Sequence, residues 1–144
     1  MSAGRAALTA ALQQALAGEH AAVYAYGVAG GVLDPVGSAA TLAREGYATH
    51  RDRRDRIRAQ LRALEEEPVA AEPGYALPGR VTTATEAGAL TRRVEDRCAV
   101  LHAAVVAAST GELRREATGW LGDAATRLLG WGGDSTAFPG VGPA

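Results

Sequence analysis

Apolar residues return every three or four positions in four separate stretches of this chain, the spacing of helices with one buried face. The first stretch covers about residues 5–29, with Leu8, Leu12, Leu16, Val23 and Tyr26 in register, and it stops at Gly30-Gly31. The second covers about residues 35–64 and carries Leu42, Tyr47, Ile57, Leu61 and Leu64. Asp34 followed by Pro35 reads there as an N-cap and first helical position, and the acidic run Glu65 to Glu67 before Pro68 marks the end. The third, about residues 84–108, opens on the capping box Thr83-Ala84-Thr85-Glu86 and buries Leu90, Val94, Leu101 and Val105. The fourth, about residues 111–129, follows Ser109-Thr110-Gly111-Glu112, a turn that reads as a second capping box. Its stripe is Leu113, Ala117, Trp120, Leu121, Ala124 and Leu128.

The spacing of the breaks predicts the topology. Those at residues 30–34 and 109–111 are short, so each flanking pair should form an antiparallel hairpin. Between the hairpins lie about 18 residues holding Pro68, Pro73, Pro78, Gly74 and Gly79, which exclude regular structure. Extended, they reach up to about 60 Å, more than the roughly 38 Å of a 25-residue helix. They are thus long enough to cross the whole bundle. The expected fold is all-α, a four-helix bundle of two hairpins joined by a long crossover, within a single domain spanning 1–144. The tail, residues 131–144, is rich in Gly and Pro, with Trp131 and Phe138 expected to pin part of it to the helices.

Composition narrows the function classes. Of 144 residues, 47% are hydrophobic but only 5% aromatic, and Ala and Gly dominate, which suits closely packed helices. All 15 basic residues are Arg and the formal charge is −1, without the basic excess of nucleic-acid binders. The Arg series of the second helix (Arg51, Arg53, Arg54, Arg56, Arg58, Arg62) is interleaved with Asp52 and Asp55 and reads as a salt-bridged face. One cysteine, Cys98, forms no internal disulfide. The first apolar stretch is broken by Gln13, Gln14, Glu19 and His20, so neither a signal peptide nor a membrane span fits, and a cytoplasmic place is expected. Neither nucleic acid nor membrane is an expected partner; a homodimer is.

Ionisable residues interrupt the apolar faces. Glu19 stands in line with Leu12, Leu16, Val23 and Tyr26; His50 in line with Gly46, Ile57 and Leu61. On the third helix Glu95, Cys98 and His102 share a face, and on the fourth Glu116 and Asp123 flank Trp120. At 1.5 Å per residue, Glu19, His50, Glu95 and Asp123 all lie roughly 16–22 Å from their hairpin turns, near mid-height. Four polar groups, one from each helix, can therefore meet at a waist. Buried charges need partners: one another, Arg, or a metal ion. Carboxylates with imidazole suit divalent Fe, Mn or Zn. The candidate ligands are Glu19, His50, Glu95 and Asp123, with Tyr26, Tyr47, His102 and Glu116 around them. Arg53, Arg54, Arg92, Arg93, Arg97 and Arg127 lie near enough in sequence to close the same cluster without metal. Cys98 and His102, four apart, read as a buried thiol beside a histidine and not as a nucleophile pair.

The stretch Gly18-Glu19-His20-Ala21-Ala22-Val23-Tyr24-Ala25-Tyr26-Gly27, the segment His50-Arg51-Asp52 and the ending Ala137-Phe138-Pro139-Gly140 resemble the actinobacterial ferritin-like domains grouped as DUF4439. The resemblance implies a ferritin-like bundle and no established activity. Di-iron members of that fold use one Glu from each of two helices and a Glu-x-x-His from each of the other two. Glu19 and Glu95 match the lone carboxylates and His50 matches one histidine. The residue three before His50 is Tyr47, and the fourth helix has no histidine; Glu116 is followed three residues later by Gly119. This argues against a di-iron oxidase. The reading preferred on sequence is a non-catalytic, self-associating helical module of uncharacterised function with a buried polar cluster and a degenerate di-iron site, without catalytic or cofactor-binding residues. The alternative is a metal- or small-ligand-binding protein using Glu19, His50 and Glu95, and a redox enzyme with Tyr26 or Tyr47 beside the site ranks last.

Overall fold

The computed structural model describes residues 2–142, which form four helices and no strand. They are α1 (Ala3–Gly30), α2 (Ser38–Ala63), α3 (Ala84–Ala108) and α4 (Gly111–Gly130). The Ser2 hydroxyl caps α1 by accepting from the Arg5 N–H at 3.2 Å. Helix α2 begins at Ser38, after the Asp34-Pro35 pair that the sequence suggests as its start. Asp-Pro followed by Gly two residues on is also the composition of a β-turn, and that use prevails. The Asp34 carbonyl accepts from Gly37 N–H at 3.0 Å and its side chain from Val36 N–H at 3.2 Å. The helix ends as Glu65 turns to φ +59° and Glu66 N–H reaches back to the Leu61 carbonyl at 2.9 Å.

The capping box at α3 forms in both directions, Glu86 N–H to Thr83 Oγ1 and Thr83 N–H to Glu86 Oε2. The one expected at α4 does not form. The N-cap is Thr110, not Ser109, so Glu112 falls one position short of the place from which a reciprocal bond is made, and no side chain caps the helix. Gly111, at φ +59°, makes the turn instead.

Three layers stack along the bundle. One end buries Leu12 and Leu16 of α1, Ile57 and Leu61 of α2, Val105 of α3, and Ala117 and Trp120 of α4. The other end buries Tyr26 and Ala29, Ala40 and Ala43, Ala87, and Trp131. The N-terminal half of α1 therefore lies beside the C-terminal half of α3, and the two helices run antiparallel. That requires the 64–83 segment to traverse the full length of the bundle, as the sequence predicts. It does so along α1: Gln13 bonds both the Glu67 carbonyl (2.7 Å) and Val69 N–H (2.8 Å), and His20 bonds the Val69 carbonyl at 3.1 Å. Tyr75 then packs against Tyr24, with ring centres 5.6 Å apart.

Helix α1 packs on α2 and α3, and α3 on α4, whereas α2 and α4 barely touch. Long ion pairs and hydrogen bonds close that seam: Arg53 to Asp123 (2.8 Å), Arg56 to Glu116 (2.7 Å), and Arg127 to Thr49 (2.8 Å). The apolar part of the middle layer is small, built of Ala22, Cys98, Ala99 and Ala124, and this leaves room at mid-height for polar side chains. Trp131 folds back into the far end, as expected. Phe138 does not; it is 73% exposed. Gly140 holds the tail instead, at φ +75° and so close to the Ala99 carbonyl that a Cβ would stand 2.3 Å from its oxygen. The last two residues of the expected tail lie outside the described region.

Candidate polar centre at the waist

Glu19, His50, Glu95 and His102 are all fully buried at the middle of the bundle, each 0% exposed. Their helical registers carry them there: Glu19 is one turn from Leu16 and Tyr26 is two turns further, while Glu95 and His102 are seven residues apart on one face of α3. The His50 ring lies between the two glutamates. Its Nδ1 is 2.6 Å from Glu19 Oε2 and its Nε2 is 3.0 Å from Glu95 Oε1. Carboxylates only accept, so both ring nitrogens donate and the ring is an imidazolium. Burial alone would lower the His50 pKa, but these two bonds and the charges behind them raise it to about 9. Burial likewise opposes ionisation of Glu19, and the bonds from His102 and His50 overcome it, holding the carboxyl down to about 2.

Around this triad most remaining groups have a partner, although Glu95 Oε2, Arg53 Nε and His102 Nδ1 are buried without one. His102 Nε2 donates to Glu19 Oε1 at 2.9 Å; burial holds its pKa below the ordinary value, so the ring is neutral and Nδ1 carries a lone pair without a partner. Tyr26 donates its hydroxyl to Glu95 Oε1 and accepts the Trp131 indole N–H at 3.0 Å. Burial and the adjacent Glu95 push the phenol well above its usual range, so it stays protonated. Tyr26 can reach this position because α2 presents Gly46 to its ring, where a Cβ would stand 2.1 Å from a ring carbon. Arg53, only 5% exposed, spans the cluster from Glu19 Oε1 (3.5 Å) to Asp123 Oδ2 (2.8 Å), and Arg127 bonds the same Asp123 oxygen at 2.9 Å. Burial raises the Asp123 pKa, but the two guanidiniums more than offset this and hold it low. Three carboxylates thus face three cations: His50, Arg53 and Arg127.

Of the four candidate ligands named from sequence, Glu19, His50 and Glu95 touch one another, while Asp123 stands at the edge of the group and is reached through Arg53. His102 and Tyr26 are in direct contact with the glutamates. Tyr47 and Glu116 are elsewhere. The Tyr47 ring, 37% exposed, stands under the Arg51 guanidinium at 5.6 Å; Glu116 pairs with exposed Arg56 on the outside of the α2–α4 seam. Direct bonding of His102 to Glu19 goes beyond the sequence reading, although its seven-residue spacing from Glu95 is a usable signal. The Trp131–Tyr26 bond has no local signature, because it joins residues from opposite ends of the chain.

These residues do not fit a pair of bridged metal ions. The position on α2 where the Glu-x-x-His pattern needs a carboxylate holds outward-facing Tyr47. On α4 the inward group is Asp123, with Trp120 three residues before it. No carboxylate bridges the centre from α2 or α4, and imidazolium and guanidinium occupy it. A smaller grouping remains: one donor atom each from Glu19, Cys98 and His102 lie within 4.8 Å of one another, all buried. Arg53 stands against that group too, with Nη1 at 3.5 Å from Glu19 Oε1 and 3.4 Å from His102 Nε2. Burial pushes the Cys98 thiol well above its usual pKa, which removes it as a nucleophile at neutral pH.

The bundle has the ferritin-like fold, with a polar waist at mid-height. The chain belongs to the family described as a domain of unknown function (DUF4439), whose model matches residues 11–143. It is similar to the crystal structure of a conserved hypothetical protein from Mycobacterium tuberculosis, with 33% identity over 92% of this chain and 98% of that one, at a TM-score of 0.84. It also shares its fold with ferritin-like, diiron-carboxylate proteins from Bacillus anthracis: 14% identity, 92% and 97% coverage, TM-score 0.78. No curated protein matches the sequence. Among the described residues no helix is long and apolar enough to cross a membrane.

Proposed function

We propose that this protein is a non-catalytic ferritin-like module in which an internal cluster of charges takes the place of the metal centre. The observation that carries this reading is the His50 ring held between Glu19 and Glu95, with Arg53 beside them. A proton on the ring and a guanidinium supply the positive charge that metal ions would otherwise bring to buried carboxylates. With its carboxylates matched by its own cations, the cluster needs no exogenous ion to offset burial. Tyr26 and Cys98 are both held protonated, and Glu19 and Glu95 are engaged by His50, which supports a non-catalytic reading.

Elemental analysis of tag-free protein purified without chelator tests the proposal. The expected content of Fe, Mn and Zn is far below one per chain, and added Fe(II) leaves the melting temperature unchanged; a ligand that binds only the folded state would raise it. Near-stoichiometric metal that disappears in Glu19→Ala would overturn it. A second reading, favoured by the proximity of Glu19, Cys98 and His102, is a single site for a thiol- and imidazole-seeking ion such as Zn(II). It requires Arg53 to swing away, and it would show as Zn(II) binding abolished by Cys98→Ser.

A further inference from the structure

The crossover does not lie flat on the bundle. Where it passes over the junction of α1 and α3 it leaves a cavity of about 480 Å³, within the size range of small-molecule sites. Buried Ala25 and Leu90 form its apolar floor, and half-buried Tyr75 and Leu77 of the crossover form one wall. The small α1 side chains leave the space open, because a larger residue at position 25 would fill it. The mouth carries two arginines, Arg93 and Arg97, one turn apart on α3. Both are exposed, and neither makes an ion pair or side-chain hydrogen bond among the described residues. No carboxylate lines the cavity. Arg53, Arg54, Arg56, Arg58 and Arg127, by comparison, are each matched to an acid.

We infer that this cavity is a binding site for a small amphipathic anion, an aliphatic carboxylate whose chain lies on Ala25 and Leu90 while its head group is held by Arg93 and Arg97. Apolar walls bind the chain through removal of surface from water. Paired guanidiniums are suited to a planar carboxylate, which can accept two parallel N–H bonds from each. The site opens to solvent, and its crossover wall is lightly held. Residues 76–80 make no hydrogen bond to the bundle among the described residues, so the crossover between Tyr75 and Val81 can lift without breaking one. A peptide or a second protein is a poorer occupant, because a space of about 480 Å³ matches one small molecule and not a protein surface.

Isothermal titration calorimetry of the whole protein with octanoate, decanoate and dodecanoate, each below its micellar concentration, tests the site. The expected result is saturable one-to-one binding that tightens by about fourfold per added methylene until the cavity is full. 1-Decanol should bind roughly tenfold more weakly than decanoate, as should decanoate to the double variant Arg93→Gln/Arg97→Gln, which changes only exposed side chains. Ala76→Trp, on the exposed crossover, should block binding by filling the cavity and leave the circular dichroism spectrum unchanged. The inference is overturned if no saturable heat appears, if decanol binds as well as decanoate, or if both the arginine and Ala76→Trp variants bind normally. Preference for an acidic peptide over every fatty acid would overturn it as well.

Discussion

If His50 is an imidazolium locked between two carboxylates, the domain must lose stability as the pH rises through the neutral range. The histidine titrates at 6.5 when unfolded and at about 9 when folded. Between those values the native state holds a proton that the unfolded chain has released, so stability falls with rising pH. The contribution is complete below pH 6.5 and is gone above pH 9. At about 1.36 kcal/mol per pH unit, the interval from 6.5 to 9 amounts to about 3 kcal/mol, of which about 2 kcal/mol is lost between pH 7, above the titration of His102, and pH 8.5. His50 is 0% exposed, so solvent screening does not reduce the figure. The depressed pKa of Glu19 describes the same ion pair from its other end and is not added. In a domain of this size the loss corresponds to a fall in melting temperature of roughly 5–10 °C. The window stops at pH 8.5 because Cys98, protonated in the fold, begins to favour the unfolded chain near its free value of 9.0. The assay is urea unfolding followed by far-UV circular dichroism at several pH values, on wild type and on His50→Gln. The glutamine variant is less stable throughout and loses the slope. A flat wild-type profile between pH 7 and 8.5, or an equal slope in His50→Gln, would refute the reasoning.

Other expectations follow from the same contacts. On the acid side, stability should fall as the pH drops below 6.5, where the unfolded chain protonates His102 while the fold keeps it neutral, and fall further from 4.5 toward 2 as Glu19 loses its charge; the same urea series extended to low pH measures both. Glu19→Ala leaves His50 and Arg53 facing one carboxylate fewer in the buried waist and should cost about 3–5 kcal/mol in urea unfolding. Gly46→Ala drives a methyl group into the Tyr26 ring and should cost about 1–3 kcal/mol, at the upper end because that ring is fixed on its far side by Glu95 and Trp131. Trp131→Phe removes the bond to Tyr26 and part of a buried ring and should cost about 1–3 kcal/mol, whereas Phe138→Ser, on an exposed ring, should leave the melting temperature unchanged.

Much of the fold was legible in local patterns. The Gly30-Gly31 pair, the Ser109-Thr110-Gly111 break, the Thr83–Glu86 capping box and a proline-rich segment too long for a turn define two hairpins and a crossover. Where the reading failed, two local signals competed or no local signal existed. Asp34-Pro35 serves equally to start a helix or to make a turn, and only the position of Gly37 tips the choice. Phe138 has the composition of an anchor, yet the anchor is Gly140, whose role depends on an α3 carbonyl far away in the chain. At the waist, helical register alone was enough to bring Glu19, His50 and Glu95 inward at one height. Register could not say that one ring would bridge both carboxylates, or that Arg53 and not Arg54 would turn inward, because those choices depend on the separation of α2 from α4.

The central claim concerns a single proton, and nitrogen-15 NMR of the imidazole rings observes it directly. At pH 8, with no metal added, His50 should show both ring nitrogens protonated, while His102 should show a neutral ring with hydrogen on Nε2 alone. A neutral His50 at that pH, or a ring nitrogen bound to metal, would contradict the account.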